Sequence, residues 1–109
     1  MLQKQIQFNT FSEFYPFYLS EHKTKACKIL HFIGTSFSLF FLMTALFFQI
    51  WFFIFVALLF GYGFAWIGHF VFEKNRPASF KYPLYSFAGD WFMYWQLLSG
   101  KLSFHTIKD

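Results

Sequence analysis

The sequence lacks charge over its central part. From Ile29 to Phe72 there is no Asp, Glu, Lys or Arg, and only 13% of the whole chain is charged. Soluble globular domains carry about 25% charged residues, so this composition excludes an ordinary soluble domain. Because about 20 apolar residues cross a bilayer, the uncharged run is long enough for two crossings.

Other absences exclude further classes of protein. The single cysteine, Cys27, rules out an internal disulfide, leaves the redox character of the compartment open, and has no role that we assign. The net charge is +4, but the basic residues form no face interleaved with aromatic side chains, so we expect no nucleic-acid partner. There is no nucleotide-binding fingerprint. Because the N-terminus is polar and the apolar run starts late, we expect no cleaved signal peptide.

The basic residues that are present flank the uncharged run. Those nearest to it are Lys4, Lys23, Lys25 and Lys28 before it, and Lys74, Arg76 and Lys81 after it. The excess of Lys and Arg in cytoplasmic segments places both ends of the run in the cytoplasm. The middle of the run, with Gln49 and Trp51, is then expected at the opposite membrane surface. We predict a bacterial inner-membrane protein, or an endoplasmic reticulum protein in a eukaryote.

The uncharged run is therefore predicted to form an antiparallel transmembrane helical hairpin, with helices over about 29–48 and 51–74. The predicted fold class is an all-α integral membrane protein, a single membrane domain over residues 1–109. In such a hairpin, His31 lies level with His69. Small residues at four-residue spacing are typical of membrane helices that approach closely. They are Ala57, Gly61 and Ala65 on the second helix, facing Gly34, Thr35, Ser38 and Ala45 on the first.

Two shorter helices are predicted to flank the hairpin, either in the membrane interface or packed against it. The first covers about residues 10–22, and Pro16 within it predicts a later start or a kink. The last covers about residues 84–98 and stops before Gly100. His22 and His31 are out of phase on one continuous helix, so a break around residues 23–28 is required if both are to face the same point.

His22, His31 and His69 are candidate metal ligands. A lone histidine at a membrane edge is more often a hydrogen-bonded interfacial residue, but three at one depth favour a metal site. Imidazoles with a carboxylate nearby suit Fe(II), Zn(II) or Cu(II), and the spacing does not choose among these metals. His105 lies in a polar tail, and we assign it no role.

Other ionisable residues near these histidines are candidates for supporting or catalytic roles. Glu73, one turn after His69, is a metal ligand, a group that orients His69, or the ion-pair partner of Lys74 or Lys81. We take Glu73 and Arg76 as candidate catalytic residues.

Asn75 and Arg76 could also bind a carboxylate or an anionic headgroup, because Arg offers a planar fork of donors. For Arg76, ordinary membrane anchoring is an equal alternative. Glu21 and Asp90 are candidates for supporting the site, and for Asp90 a structural role in capping or ion pairing is favoured.

Three stretches of the chain resemble a known family when taken together. They are "FYPFYLSEH" at 14–22, "LHFIGT" at 30–35, and "GYGFAWIGHFVFEKNRPASFKYPLYSFAGDWFM" at 61–93. In this combination, residues 11–93 resemble the small integral-membrane family of iron-dependent 2-hydroxy fatty acid dioxygenases. Eukaryotic members of that family act in fatty-acid α-oxidation and sphingoid-base breakdown at the endoplasmic reticulum.

The resemblance implies a defined reaction and cofactor. A 2-hydroxy fatty acid and O₂ would give CO₂, water and a fatty acid one carbon shorter, with Fe(II) held by His22, His31 and His69. The partners would be the lipid bilayer, the 2-hydroxy fatty acid and O₂; the oligomeric state is left open. Two alternatives are a non-enzymatic membrane haem or metal-binding protein with His31 and His69 as axial ligands, and a structural, lipid-interacting membrane module.

Overall fold

The structure is a computed structural model, and it describes residues 8–104. Within this part of the chain the fold is all-helical, with no strand. Helix α1 covers Phe11–Ser20, α2 covers Lys25–Phe48, α3 covers Phe52–Ile67, and α4 covers Pro83–Ser99. Helix α3 continues into a π-helical segment, Gly68–Glu73, and a short 3₁₀ turn, Ala78–Phe80, precedes α4.

The N-terminus of α1 is capped by its own side chains. Thr10 Oγ1 accepts a hydrogen bond from the Glu13 amide at 3.2 Å, and Glu13 Oε1 accepts one from the Asn9 amide at 3.0 Å. This reciprocal arrangement stabilises a helix start. These bonds explain why α1 begins at Phe11, near the predicted residue 10, with Pro16 inside the helix. The later start, which was one of the two alternatives predicted from Pro16, does not occur.

Helix α2 begins at Lys25, earlier than the residue 29 predicted from hydropathy. The Thr24 hydroxyl caps it by accepting a hydrogen bond from the Cys27 amide at 3.1 Å. Capping depends on local hydrogen bonding and not on apolar length, so the helix extends one turn beyond the uncharged run. The chain breaks between α1 and α2, which frees His22 from the phase of α2.

Helices α2 and α3 pack along each other in antiparallel directions. They are joined at Gln49, which has a left-handed conformation with φ of 56°. Near the turn Phe41 packs on Phe53, and near the other end Gly68 approaches Cys27. At Gly34 an added Cβ would lie 2.7 Å from Phe64 Cβ, so only glycine allows this close approach.

Both helices of this pair are long and apolar enough to cross a membrane. The spans are Lys25–Phe48 and Phe52–Glu73. Only 28% and 22% of their most apolar windows are buried inside the protein, whereas the core helix of a soluble protein is mostly buried. Phenylalanines on their outer faces, such as Phe47 at 74% and Phe52 at 66%, are highly exposed.

The best-packed part of the protein lies at one end of the α2–α3 pair, where α1 and α4 meet. Its buried core contains Phe14, Tyr18, Ala78, Met93 and Leu97. Helix α4 packs against α1, α2 and the 3₁₀ turn, one of the two placements predicted for the last helix. The histidines lie at this end of the molecule.

Candidate metal centre

Three histidines from three different elements meet at one point. His22 follows α1, His31 lies in α2, and His69 lies in the π-helical segment. All three are buried, with exposed fractions of 1%, 4% and 2%. The Nε2 atom of His22 lies 3.0 Å from Nε2 of His31 and 3.0 Å from Nε2 of His69.

The other ring nitrogen of each histidine faces an oxygen. Nδ1 of His22 is 2.6 Å from the Tyr18 carbonyl, and Nδ1 of His31 is 3.0 Å from the Cys27 carbonyl. Nδ1 of His69 is 2.8 Å from Asn75 Oδ1. Since carbonyl oxygens only accept hydrogen bonds, each Nδ1 carries the proton.

The three Nε2 atoms therefore present unprotonated lone pairs to one another. Burial, followed by the two neighbouring histidines, holds the pKa of His22 well below its usual value, so this ring stays neutral. Nε2 of His22 lies at hydrogen-bonding distance from the other two acceptors with no proton between them, so these lone pairs repel. A cation placed among them satisfies all three lone pairs.

The spacing of the nitrogens also fits a metal ion. Imidazole nitrogens bind zinc and related metals at about 2.0–2.1 Å. Two such bonds at a right angle put the nitrogens about 3 Å apart, the separation between His22 and each of its partners. Because Nδ1–H groups held by backbone carbonyls or amides are the usual supports of metal-binding histidines, the site has both the ligands and their supports.

Cys27, to which the sequence assigned no role, lies beside the histidines. His22, Cys27, His31 and His69 each offer one possible ligand atom, and these four atoms lie within 4.8 Å of one another. However, Cys27 Sγ is 3.7 Å from Nδ1 of His31, which is the nitrogen that points away from the other imidazoles. Cys27 supports His31 through its carbonyl and packs against Gly68. Its position one helical turn before His31 is the signal that sequence analysis could have used.

The side chain that hydrogen-bonds to Nδ1 of His69 is that of Asn75. The Asn75 side-chain amide donates to the Glu21 carbonyl at 3.3 Å and to Glu21 Oε1 at 3.2 Å, which leaves Oδ1 to accept from His69. Asn75 reaches this position because Lys74 adopts a left-handed conformation, φ 59°, and the Asn75 amide bonds back to the His69 carbonyl. The prediction for Glu73 rested on regular α-helical spacing, which does not include this reversal.

Glu73 lies outside the group of possible ligand atoms in the described residues. Its carboxylate accepts a hydrogen bond from the Thr24 amide. Thr24 is two residues after His22 and caps α2. The hydrogen bond from Thr24 therefore connects Glu73, at the end of the π-helical segment, to the chain between α1 and α2 that contains His22.

Glu21 and Arg76 lie toward the surface. Burial, and then the charge of Glu73, raises the pKa of the Glu21 carboxyl, while Lys23 opposes this shift. Arg76 is exposed and lines an outer depression together with Glu21 and Lys81. The structure therefore brings Glu21 to the histidines through Asn75 and does not bring Arg76 to them.

Asp90 reaches the site through Tyr18. The Tyr18 hydroxyl donates a hydrogen bond to Asp90 Oδ1, and the Tyr18 ring stacks on His22 with centroids 4.1 Å apart. Burial raises the pKa of Asp90 to about 7, with the hydrogen bond from Tyr18 acting in the opposite direction. Asp90 therefore contacts the side chain that stacks on His22, and a supporting role for Asp90 stays a prediction.

Comparison with known proteins gives one match. The family model described as 2-hydroxy-palmitic acid dioxygenase Mpo1-like matches residues 8–102, a range that includes His22, His31 and His69. No curated protein matches the chain. No solved structure matches it either.

Proposed function

The chain belongs to the Mpo1-like family of 2-hydroxy-palmitic acid dioxygenases, and on this premise we propose that it is an iron-dependent membrane dioxygenase. Its substrate is a 2-hydroxy fatty acid, and its product is the fatty acid one carbon shorter. The observation that carries the proposal is the convergence of three imidazoles, in which Nε2 of His22 lies 3.0 Å from Nε2 of both His31 and His69 and every Nδ1 faces a protein oxygen.

The proposed reaction balances without a further reductant. One 2-hydroxy acid and one O₂ give one carboxylic acid, one CO₂ and one H₂O. The bond between C1 and C2 breaks, and the substrate loses four electrons, the number that reduces O₂ to water. This agrees with a chain that has no nucleotide-binding fingerprint.

His22, His31 and His69 would hold the metal ion, and Fe(II) suits this role because non-haem iron sites combine a few protein ligands with open positions. Bound iron would supply the one-electron chemistry that O₂ requires. The Tyr18 and Cys27 carbonyls and Asn75 Oδ1 keep the imidazoles neutral and oriented. Stacking of Tyr18 on one face of His22 fixes that ring further.

The carboxylates then have distinct proposed roles. Glu21 accepts a hydrogen bond from the Asn75 side chain and so positions it, and Asn75 accepts one from His69 Nδ1. Glu73 is a positioning residue for the connection after His22, and Asp90 positions Tyr18. Arg76, exposed beside Lys81, is placed to attract an acidic substrate at the membrane surface before it reaches the histidines.

The location of the site suits a lipid substrate. The histidines lie at the end of the two membrane-length helices where Lys23, Lys25 and Lys74 are found. We place this end at the cytoplasmic headgroup region, with both termini in the cytoplasm. A fatty acid in the same leaflet has its carboxylate at this depth.

A haem site fits the geometry less well. Two axial imidazoles require a flat porphyrin between them, but Nε2 of His22 lies 3.0 Å from Nε2 of both His31 and His69. The cavity against the three histidines measures about 10 Å³, which is the size of a water molecule. This space is too small for a porphyrin.

The test combines metal analysis with substrate turnover. Protein purified in mild detergent should contain iron at close to one atom per chain, and it should consume O₂ and release CO₂ in equal amounts with 2-hydroxypalmitate. Palmitate, which lacks the 2-hydroxyl, is the control and should not react. Absence of a bound transition metal, or turnover that depends on added 2-oxoglutarate, would overturn the proposal.

A further inference from the structure

An open apolar groove runs along the outer side of α3. On one side it is lined by Leu59, Gly63 and Trp66, and on the other by Phe80 and Pro83. Its volume is about 530 Å³, within the range of about 300–1,000 Å³ that is usual for small-molecule sites. The groove lies on a helix whose apolar face is exposed where lipid is expected.

The groove adjoins the cavity that lies against the histidines. Tyr62, Trp66 and Ser79 line both the groove and the cavity of about 10 Å³ against His22, His31 and His69. The two spaces therefore share walls, and an elongated molecule lying in the groove points one end at the metal centre.

An unpartnered hydroxyl lies at this cavity. Ser86 lines the small cavity and is 2% exposed, and its Oγ is the buried side-chain oxygen or nitrogen without a hydrogen-bond partner among residues 8–104. Buried hydroxyls are nearly always satisfied, because leaving one unpaired is costly. A polar group of a ligand in this cavity would provide the missing partner.

We propose that the groove binds the acyl chain of the substrate and that Ser86 binds its polar head; this inference rests on the proposed function. The occupant is a single-chain amphiphile with a small head. A cavity of about 10 Å³ accepts an oxygen-sized group, so the bulky headgroup of a bilayer phospholipid does not enter it. The groove supplies apolar surface for methylene groups, each worth a similar increment of binding.

Gly63 makes the inference testable. A Cβ added at Gly63 would meet no atom within 4 Å, so a larger side chain there occupies the groove without displacing the protein's own atoms. Gly63 therefore sets how much room a long acyl chain has.

The experiment compares chain lengths. The ratio of kcat/KM for 2-hydroxypalmitate to that for 2-hydroxyoctanoate should fall about tenfold or more in Gly63→Leu, since single steric changes in apolar pockets have effects of this size. Gly63→Ala should give a smaller decrease in the same direction. Ile54→Phe adds bulk on the same helix away from the groove and should leave the ratio unchanged. Equal losses for both substrates in Gly63→Leu would overturn the groove assignment.

A binding measurement separates this inference from the proposed reaction. Metal-free wild-type protein is irradiated with a fatty acid that carries a diazirine near its methyl end, and the labelled peptides are identified by mass spectrometry. Labels should fall within residues 58–66 or 79–83, and excess 2-hydroxypalmitate should prevent them. Labelling that 2-hydroxypalmitate does not reduce would mean ordinary bilayer contact and would overturn the inference.

The two tests fail differently. A wild type that turns over no 2-hydroxy acid of either length, yet is labelled competitively in the groove, overturns the reaction and retains the acyl-chain site. A wild type with normal turnover whose labels fall elsewhere overturns the acyl-chain site and retains the reaction.

Discussion

At the scale of single residues, the two nitrogens of each imidazole have different contacts. Nδ1 is held by an oxygen of the protein, and Nε2 points to the common centre. The hydrogen bond at Nδ1 fixes the tautomer, and the tautomer decides whether the ring can act as a metal ligand. His22 has the central position, because its Nε2 is 3.0 Å from both of the others.

The first prediction concerns the three histidines. His22→Ala, His31→Ala and His69→Ala should each reduce iron content and turnover by more than the 10- to 100-fold typical of a lost supporting group, because a ligand itself is removed. Circular dichroism should show unchanged helicity. His105, which lies outside the described residues, provides the matched control, and His105→Ala should resemble the wild type. Any ligand variant that keeps full iron and full turnover would remove that histidine from the site.

The second prediction distinguishes Asn75 from Glu73. Asn75→Ala removes the acceptor for His69 Nδ1 and should weaken iron binding by about 10- to 100-fold. Glu73→Gln keeps an oxygen that can accept from the Thr24 amide and should have a smaller effect. Iron affinity is measured by competition with a chelator. A larger loss in Glu73→Gln than in Asn75→Ala would restore Glu73 as the residue that acts directly on the metal.

The third prediction concerns Asp90 and pH. Burial raises the pKa of Asp90 to about 7 from its usual 3.8, so the folded protein keeps this proton in a range where the unfolded chain has lost it. The resulting stabilisation is complete below about pH 4 and is lost as pH rises through about 7. Asp90→Asn lacks this dependence.

The thermal midpoint of the metal-free wild type should therefore fall relative to that of Asp90→Asn as the pH is raised from 4 to 8. The wild type and Asp90→Asn share the histidines and Tyr62, which line the same cavity as Asp90, so the difference between the two midpoints reports the titration of Asp90 together with its coupling to these groups. A constant difference across this range would mean that Asp90 does not titrate with a raised pKa.

At the scale of helices and turns, two features position the histidines. The π-helical segment Gly68–Glu73 carries His69 and, with the left-handed Lys74, returns the chain so that Asn75 lies beside it. Such π-helical turns are frequent at functional sites. The close packing of α2 on α3, which depends on Gly34 and Gly68, keeps His31 and His69 within reach of His22.

The fourth prediction tests this packing with two glycines. In Gly34→Ala the new Cβ would lie 2.7 Å from Phe64 Cβ and 3.0 Å from the Phe60 carbonyl oxygen. The helices must separate, and we expect a loss of about 1–3 kcal/mol in unfolding free energy, as for other overpacked sites, together with weaker iron binding.

Gly63→Ala is the matched control on α3. Its Cβ meets nothing within 4 Å, and alanine favours a helix over glycine by about 1 kcal/mol, so stability should be unchanged or higher. Denaturant unfolding in detergent measures both variants. If Gly34→Ala were as stable as Gly63→Ala, the close approach at Gly34 would not be needed to hold the helices together.

At the scale of the whole molecule, the charged and polar end and the apolar end are separated along its long axis. The protein measures 52 × 29 × 26 Å, and the histidines, α1 and α4 lie at one end of the α2–α3 pair. The opposite end contains the turn at Gln49 and exposed apolar side chains. This division suits a protein that crosses the bilayer and carries its site at one surface.

The fifth prediction concerns orientation. With both termini in the cytoplasm, Gln49→Cys in a Cys27→Ala background should react with a membrane-impermeant thiol reagent added to intact cells. A cysteine at exposed Lys81 should react only after lysis. Labelling of Lys81→Cys in intact cells, with Gln49→Cys protected, would reverse the orientation.

The sequence predicted much of this fold because the relevant signals are local. The uncharged run and its flanking lysines predicted two membrane-length helices, and the structure has two helices of that character. The break before α2 followed from the phase of His22 and His31. The family resemblance rested on short quoted stretches and is confirmed by the match over residues 8–102.

The details around the histidines could not be predicted in the same way. Asn75 reaches His69 through a π-helical segment and a left-handed residue, whereas the sequence analysis assumed regular α-helical spacing. Helix α1 contains Pro16 because the capping hydrogen bonds of Thr10 and Glu13 stabilise a helix start at Phe11. Proline alone had predicted a later start or a kink. Cys27 supports His31 through a backbone carbonyl, which any residue type provides, so its position one turn before His31 was a signal and its side chain was not.

The sequence by itself determined the helical class, the apolar lengths and the three histidines that can meet, because helix periodicity and hydrophobicity depend on neighbouring residues. Only the tertiary structure decided which oxygen accepts from each Nδ1 and that Tyr18, bound to Asp90, stacks on His22. It also decided that an apolar groove along α3 shares walls with the cavity that Ser86 lines. These features join residues as far apart as Tyr18 and Asp90. Their geometry depends on how α1 and α4 pack on the α2–α3 pair, and that packing is the sum of many weak contacts that no local pattern encodes.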